Sequence, residues 1–130
     1  MRILVCDDAA ELRSLLRSAL EAREEVTIVG EAGTGDDAVA LAARTQPDIV
    51  VLDLEMPGPD AAALLTGLRG AAPAAALVTF SGHDPGRVAG AAVGEIALHV
   101  PKTTELSAAA VAICAAAQPP QRLNLPHPPG

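Results

Sequence analysis

The residues of this sequence that could carry out chemistry each stand directly after a short apolar stretch. Two adjacent acids, Asp7 and Asp8, end the first stretch, and a third acid, Asp53, ends a later one. A hydroxyl, Ser81, and an amine, Lys102, occupy the same position after two further stretches. Lys102 is the only lysine in a chain whose other basic residues are arginines. A compact ammonium differs from a planar guanidinium in shape and reach, so this lysine indicates a specific requirement at that position.

These residue types together favour phosphoryl chemistry on a carboxylate. Three carboxylates held close to one another repel, and a hard divalent cation with oxygen ligands relieves that repulsion. With Mg²⁺ held by two acids, the oxygen of a third group can attack phosphorus while the metal neutralises developing charge. Lys102 then supplies a positive charge and Ser81 a hydrogen-bond donor for the phosphoryl oxygens. The expected product is an aspartyl phosphate.

The elements that must position these residues alternate between strand and helix along the whole chain. A doubly wound α/β fold with a parallel sheet is therefore predicted, and its ligands bind beyond the carboxyl ends of the strands. The fourth helix contains Gly86 and Gly90, and we expect it to be the weakest and most mobile. The predicted strands are Arg2–Cys6, Val26–Gly30, Asp48–Leu52, Ala76–Phe80 and Ile96–Val100, and the predicted helices are Ala10–Ala22, Asp36–Thr45, Asp60–Arg69, Pro85–Val93 and Thr104–Ala117.

Composition excludes several classes of protein. The 130 residues carry nine basic and sixteen acidic side chains, a net charge of −7, and half of the residues are apolar. This acidic balance, with Phe80 as the only aromatic residue, argues against nucleic-acid binding by this domain. No apolar run is long enough to span a membrane, and the first residues do not resemble a signal peptide. Cys6 and Cys114 are predicted to be buried thiols of a cytoplasmic protein.

The motifs, taken together over residues 2–117, resemble the receiver domain of bacterial two-component response regulators. The resemblance rests on Asp7-Asp8, on the run from Asp53 to Gly58, on Ser81-Gly82 and on Lys102. It implies that Asp53 is the phosphoacceptor and that Asp8, Asp53 and the backbone carbonyl of Glu55 ligate Mg²⁺, with Asp7 acting through a water. It also implies that Ser81 follows the phosphoryl group and that Lys102 contacts it.

The same resemblance implies a flavodoxin-like sheet of five parallel strands in the order 2-1-3-4-5, with five helices. It implies a histidine kinase as partner, and a homodimer on phosphorylation. Residues 29–38 are similar to the nitrate-response type of regulator, whose members usually carry a DNA-binding domain. The sequence departs from the family at three places. Ala61 stands where Gly is frequent, Thr103 follows the lysine where Pro is usual, and His99 replaces the Tyr or Phe of the switch position.

Our interpretation is a signalling switch rather than an enzyme that turns over an external substrate. Residues 1–117 form the receiver domain, and residues 118–130 are a Pro-rich tail or a truncated linker. We expect Ser81 and His99 to act as the switch and the Pro85–Ala117 surface to transmit the signal. Transcription regulation through a further domain is the expected output. The alternatives are a stand-alone receiver, a phosphorelay or interaction module without a DNA-binding output, and an aspartyl-phosphate phosphatase of the haloacid-dehalogenase type. The interaction module is a receiver that has lost phosphorylation.

Three further features of the sequence carry weaker signals. Glu55 follows the phosphoacceptor by two residues, and we hypothesise that it tunes hydrolysis of the aspartyl phosphate. The pair His83-Asp84 is interpreted as a solvated loop. The glycines at 30, 33 and 35 do not match a nucleotide-binding fingerprint and are explained by turn formation.

Overall fold

The sheet has five parallel strands in the order β2-β1-β3-β4-β5, as the family resemblance implies. The structure is a computed structural model that describes residues 1–117, apart from the side chain of Val88. The predicted tail, residues 118–130, lies outside the described residues. The strands are β1 Arg2–Cys6, β2 Thr27–Ala32, β3 Ile49–Leu52, β4 Ala76–Ser81 and β5 Ile96–Pro101. The helices are α1 Ala10–Glu21, α2 Gly35–Thr45, α3 Ala61–Ala71, α4 Pro85–Ala89 and α5 Leu106–Ala116, with a 3₁₀ helix at Gly90–Glu95.

Two apolar layers cover the two faces of the sheet. Side chains alternate between faces along a strand, so Leu4 and Val50 join the layer formed with α2 and α3. Ile3 and Val51 join the layer formed with α1 and α5. The three inner strands are therefore buried on both faces, which explains their nearly continuous apolar sequences. Their carboxyl ends are fixed by this packing.

Four of the helices begin at side chains that cap them. Thr34, Asp60, Asp84 and Glu105 each accept a hydrogen bond from a backbone N–H in the first turn of α2, α3, α4 or α5. The helix that follows the acidic pair differs, because its N-cap is Ala9 and no side chain caps it. Neither Asp7 nor Asp8 is the N-cap of α1.

The fourth helix is shorter than the sequence predicts. Its α-helical part ends at Ala89, and a 3₁₀ helix covers Gly90–Glu95. Gly90 has φ 55° and ψ −132°, a backbone conformation that glycine adopts far more easily than any other residue. The break in the helix therefore follows from the glycine, in keeping with the weakness expected of this segment. None of the helices in residues 1–117 has the length and apolar character needed to cross a bilayer.

Replacing Gly90 by alanine should lower the free energy of unfolding by about 1–3 kcal/mol, because the added Cβ makes this backbone conformation strained. Gly94 offers a matched control, since a Cβ at either position meets no atom within 4 Å and Gly94 lacks the positive φ. We expect Gly94→Ala to leave stability unchanged or to raise it by up to about 1 kcal/mol. Urea unfolding of both variants measures the difference, and equal destabilisation would contradict the backbone explanation.

Candidate functional site

The three acids predicted to act together lie at the carboxyl edge of the sheet. Asp7 follows β1 and Asp53 follows β3, and the two residues are only 3% and 6% exposed. Asp8 is exposed to solvent. One carboxylate oxygen from each acid lies within 4.8 Å of the others. The pairing of β1 with β3 brings these acids together, although Asp8 and Asp53 are 45 positions apart in the sequence.

Lys102 connects two of these carboxylates. Its ammonium nitrogen lies 2.8 Å from Oδ2 of Asp53 and 3.1 Å from Oδ2 of Asp7. The other oxygen of Asp53, Oδ1, accepts the backbone N–H of Glu55 over 3.0 Å. Asp53 is therefore held on both oxygens, one by a charge and one by a backbone dipole.

The surroundings of Lys102 shift its pKa upwards. Burial alone would lower the pKa of the ammonium, but the hydrogen bonds and charges of Asp53 and Asp7 raise it above its ordinary value. The side chain is consequently positive throughout the neutral range. Its backbone N–H donates to the carbonyl oxygen of Ser81 over 3.1 Å, which joins the ends of β4 and β5.

Ser81 and His99, the predicted switch residues, occupy neighbouring strands and contact different partners. Ser81 is 1% exposed, and its Oγ accepts the backbone N–H of His83 over 3.3 Å. His99 is half-buried, and its Nδ1 lies 2.7 Å from Oγ1 of the fully buried Thr79. The imidazole thus takes part in a cross-strand hydrogen bond with a neighbour that sequence reasoning did not single out.

His83 contacts a residue of the site across two loops. Its Nδ1 lies 2.9 Å from Oε2 of Glu55, although both side chains remain about half exposed. The sequence predicts a solvated loop at His83 and carries no signal for this contact. The loops that follow β3 and β4 are therefore joined beside Asp53.

Arg13 is a second contact that sequence reasoning missed. Its Nη1 donates to the backbone carbonyl of Asp7 over 2.6 Å, and its Nε donates to Glu31 over 3.0 Å. An arginine on the first helix carries no motif that distinguishes it from a surface charge. Its role depends on which carbonyl the folded chain places within its reach.

The cysteines do not add a nucleophile to the site. Both are free and buried, as the sequence predicts. Burial raises the pKa of Cys6 to about 12, with Arg13 opposing the rise and Asp7 adding to it. The thiol next to the acidic pair is therefore protonated at neutral pH and chemically inert.

The donor set suits a hard divalent cation. All three acids offer oxygen ligands, which Mg²⁺ prefers, and Asp8 is open to the solvent that would complete the coordination shell. The charge of Lys102 balances part of the negative charge of Asp7 and Asp53. The residues present thus fit a magnesium ion.

Comparison with known proteins assigns the family. The family model for the response regulator receiver domain matches residues 3–110. The chain belongs to this family. The receiver domain of the response regulator NarL from Mycobacterium tuberculosis superposes with a TM-score of 0.80 at 28% identity, covering 89% of this chain and 94% of that one. The flavodoxin-like receiver fold and the two-component signalling class predicted from the sequence are thereby confirmed.

Two curated relatives match this chain over only part of their own length. A protein-glutamate methylesterase/protein-glutamine glutaminase from Myxococcus xanthus is 40% identical over 86 residues, 65% of this chain and 25% of that protein. The transcriptional regulatory protein YxjL from Bacillus subtilis is 39% identical over 57 residues, 44% of this chain and 26% of that protein. The receiver domain described here thus spans about a quarter of the length of these relatives.

Proposed function

We propose that this receiver domain accepts a phosphoryl group from a histidine kinase onto Asp53, with Mg²⁺ as cofactor. The arrangement around Asp53 carries the proposal. Its nearly buried carboxylate is held between the Glu55 N–H and the Lys102 ammonium, within 4.8 Å of the carboxylates of Asp7 and Asp8. A receiver domain is a signalling module, which favours this switch over the phosphatase alternative.

In the transfer, a carboxylate oxygen of Asp53 attacks phosphorus while the bond from phosphorus to the donor's imidazole nitrogen breaks. The imidazole leaves with the electron pair, and the product is an aspartyl phosphate. Lys102 offsets the charge that develops on the phosphoryl oxygens, and Ser81 donates a hydrogen bond to one of them once its hydroxyl turns towards the group. When bound by Asp8, Asp53 and the backbone carbonyl of Glu55, with Asp7 acting through a water, Mg²⁺ supplies further charge neutralisation.

The signal leaves the site through the segment that connects Ser81 to Lys102. Ser81 precedes α4 and Lys102 follows β5, so engaging both residues on a phosphoryl group reorders the segment between them. We place the output surface on Pro85–Ala117, with His99 reporting the change through its contact with Thr79. Phosphorylation would favour a homodimer through this surface. The domain itself binds no nucleic acid, in keeping with its net charge of −7.

Three outputs are candidates, and the names of relatives suggest two of them. A DNA-binding domain beyond this one would make the protein a transcription regulator, as the name of YxjL indicates for that relative. A stand-alone or phosphorelay receiver is the second candidate, and a methylesterase-type effector is suggested by the name of the Myxococcus relative.

We place the protein in the cytoplasm, where a histidine kinase could phosphorylate it. Two buried free thiols are consistent with that reducing compartment.

Incubation with acetyl phosphate and MgCl₂, followed by intact-mass spectrometry, tests the proposal. We expect one phosphoryl group per chain with Mg²⁺ and none when EDTA removes the metal. Peptide mapping after borohydride reduction should place the acyl phosphate on the peptide that contains Asp53. An unmodified protein under conditions that phosphorylate a known receiver would contradict the function.

Glu55→Ala should shorten the lifetime of the phosphorylated protein by a few-fold. The side chain contacts His83 beside Asp53, so its loss frees the two loops and opens a path for the attacking water. Glu55→Gln is the matched control, because the amide oxygen still accepts from Nδ1–H of His83, and a lifetime near that of the wild type is expected. Mass spectrometry measures the decay of the phosphorylated protein. Identical half-lives in the wild type and both variants would contradict a role of Glu55 in hydrolysis of the aspartyl phosphate.

A further inference from the structure

Arg13 holds the peptide group that joins the two acids following β1. Its side chain, 22% exposed, donates from Nη1 to the carbonyl oxygen of Asp7 over 2.6 Å. That carbonyl belongs to the planar peptide between Asp7 and Asp8, so its direction fixes the plane from which Asp8 starts. The Nε of the same guanidinium donates to Oε1 of Glu31 on β2 over 3.0 Å. One rigid fork therefore connects the end of β1 to the neighbouring strand.

The other polar groups of Asp7 already have partners. Its N–H donates to the carbonyl of Ala32, Oδ1 accepts the N–H of Ala9, and Oδ2 contacts Lys102. The remaining polar group of Asp7 is its backbone carbonyl, which accepts the hydrogen bond from Arg13. The N-cap of α1, Ala9, has no side chain that could cap the helix, so the turn is restrained by the bond from Ala9 N–H to Oδ1 of Asp7 and by Arg13. Arg13 is thus a direct restraint on the backbone between the two acids.

The surroundings of Arg13 are shaped to keep it there. A Cβ at Gly33 would lie 3.2 Å from Nη1, so the glycine leaves the room that the guanidinium occupies. Glu31, its partner, also pairs with Arg17. The hydrogen bond from Arg17 keeps the pKa of Glu31 below its usual range, with burial opposing and Arg13 adding to the effect. Glu31 therefore remains an anionic anchor for Arg13 at neutral pH, and it stays anionic without Arg17, because an ordinary glutamate pKa already lies well below neutral pH.

We propose that Arg13 is a positioning residue for the divalent cation, holding the Asp7–Asp8 peptide so that both carboxylates can serve one ion. The assignment rests on the proposed function of the site. It makes a prediction of definite sign. Removing a positive charge near a cation site strengthens binding if charge alone matters, whereas losing the restraint weakens it.

Isothermal titration calorimetry of the full chain with MgCl₂ shows whether replacing Arg13 raises or lowers the affinity for Mg²⁺. We expect Arg13→Ala to weaken Mg²⁺ binding roughly tenfold, the scale of losses when a group that orients a metal ligand is removed. Arg17→Ala is the matched control, since it removes the same charge from the same helix and also loses a pair with Glu31, but Arg17 contacts Glu31 and Glu21. We expect its Mg²⁺ affinity to equal or slightly exceed that of the wild type.

A second variant keeps the test decisive if Arg13→Ala does not fold. Arg13→Lys retains the charge but cannot serve both acceptors in one planar fork, and an intermediate loss of affinity is expected. Wild-type affinity in Arg13→Lys, or equal loss in Arg13→Ala and Arg17→Ala, would overturn the assignment. If the wild type binds no Mg²⁺, the proposed function and this inference both fail. If the wild type binds Mg²⁺ and the Arg13 variants bind it with the same affinity, only this inference fails. Urea unfolding without metal reports the structural cost of each variant separately.

Discussion

Replacing Asp53 by asparagine should reduce phosphoryl incorporation from one group per chain to none. The amide lacks the anionic oxygen that attacks phosphorus, so the nucleophile disappears while the shape of the side chain is kept. The introduced asparagine can still accept the N–H of Glu55 through its carbonyl oxygen, and the loop after β3 should stay in place. The expected result is a folded protein that acetyl phosphate and Mg²⁺ do not modify.

The control for this variant is Asp36→Asn, which changes the charge identically at an exposed position in the first turn of α2. We expect full incorporation there. Intact-mass spectrometry of both variants gives the comparison. A phosphoryl group on Asp53→Asn would mean that another residue accepts it, and the assignment of Asp53 would be wrong.

The second large effect is expected at Lys102, where alanine should change two quantities in opposite directions. Without the ammonium, the charge on the phosphoryl oxygens is no longer offset, and the rate of transfer should fall about 10²-fold. The carboxylates of Asp7 and Asp53 lose their counter-charge at 2.8–3.1 Å, so Mg²⁺ should bind roughly tenfold more tightly. A variant that merely misfolded would lose both properties.

Arg44→Ala, which removes an exposed positive charge from the last turn of α2, is the charge-matched control. Both its transfer rate and its Mg²⁺ affinity should match the wild type. Calorimetry and the time course of mass spectra supply the two measurements. Weaker Mg²⁺ binding in Lys102→Ala would contradict the role of the lysine as a counter-charge.

The raised pKa of Lys102 also fixes a dependence of stability on pH in the metal-free protein. Because the folded pKa lies above the unfolded value, the contribution of the ion pairs is fully present below the unfolded pKa. It is lost as the pH rises through the folded pKa. The wild type should therefore lose this contribution to the free energy of unfolding only in strongly alkaline solution. Lys102→Ala lacks the ion pairs and should not show this loss. Urea unfolding of both proteins across the alkaline range measures the difference.

The order of strands and helices, and the identity of the residues at the strand ends, follow from the sequence alone. Apolar runs of strand length separated by amphipathic helices allow few arrangements other than a parallel sheet with helices on both faces. The carboxyl ends of such strands share one edge, which is why Asp7, Asp53 and Lys102 could be expected together from their positions in the chain. The weakness of the fourth helix was likewise evident from its glycines, although the end of the helix at Ala89 was not.

The contacts made by the ends of the long side chains were decided only by the tertiary structure. Lys102 bridges Asp7 and Asp53, Arg13 reaches the carbonyl of Asp7, and His99 bonds to Thr79. Each contact joins residues that lie on, or directly after, different elements, and it depends on register and on which rotamers the packing allows. Local sequence specifies the residue at a strand end but not which of several neighbours its terminal atoms will meet. The positions of these residues at the strand ends therefore followed from the sequence, and the restraints that hold their side chains in place arose from packing.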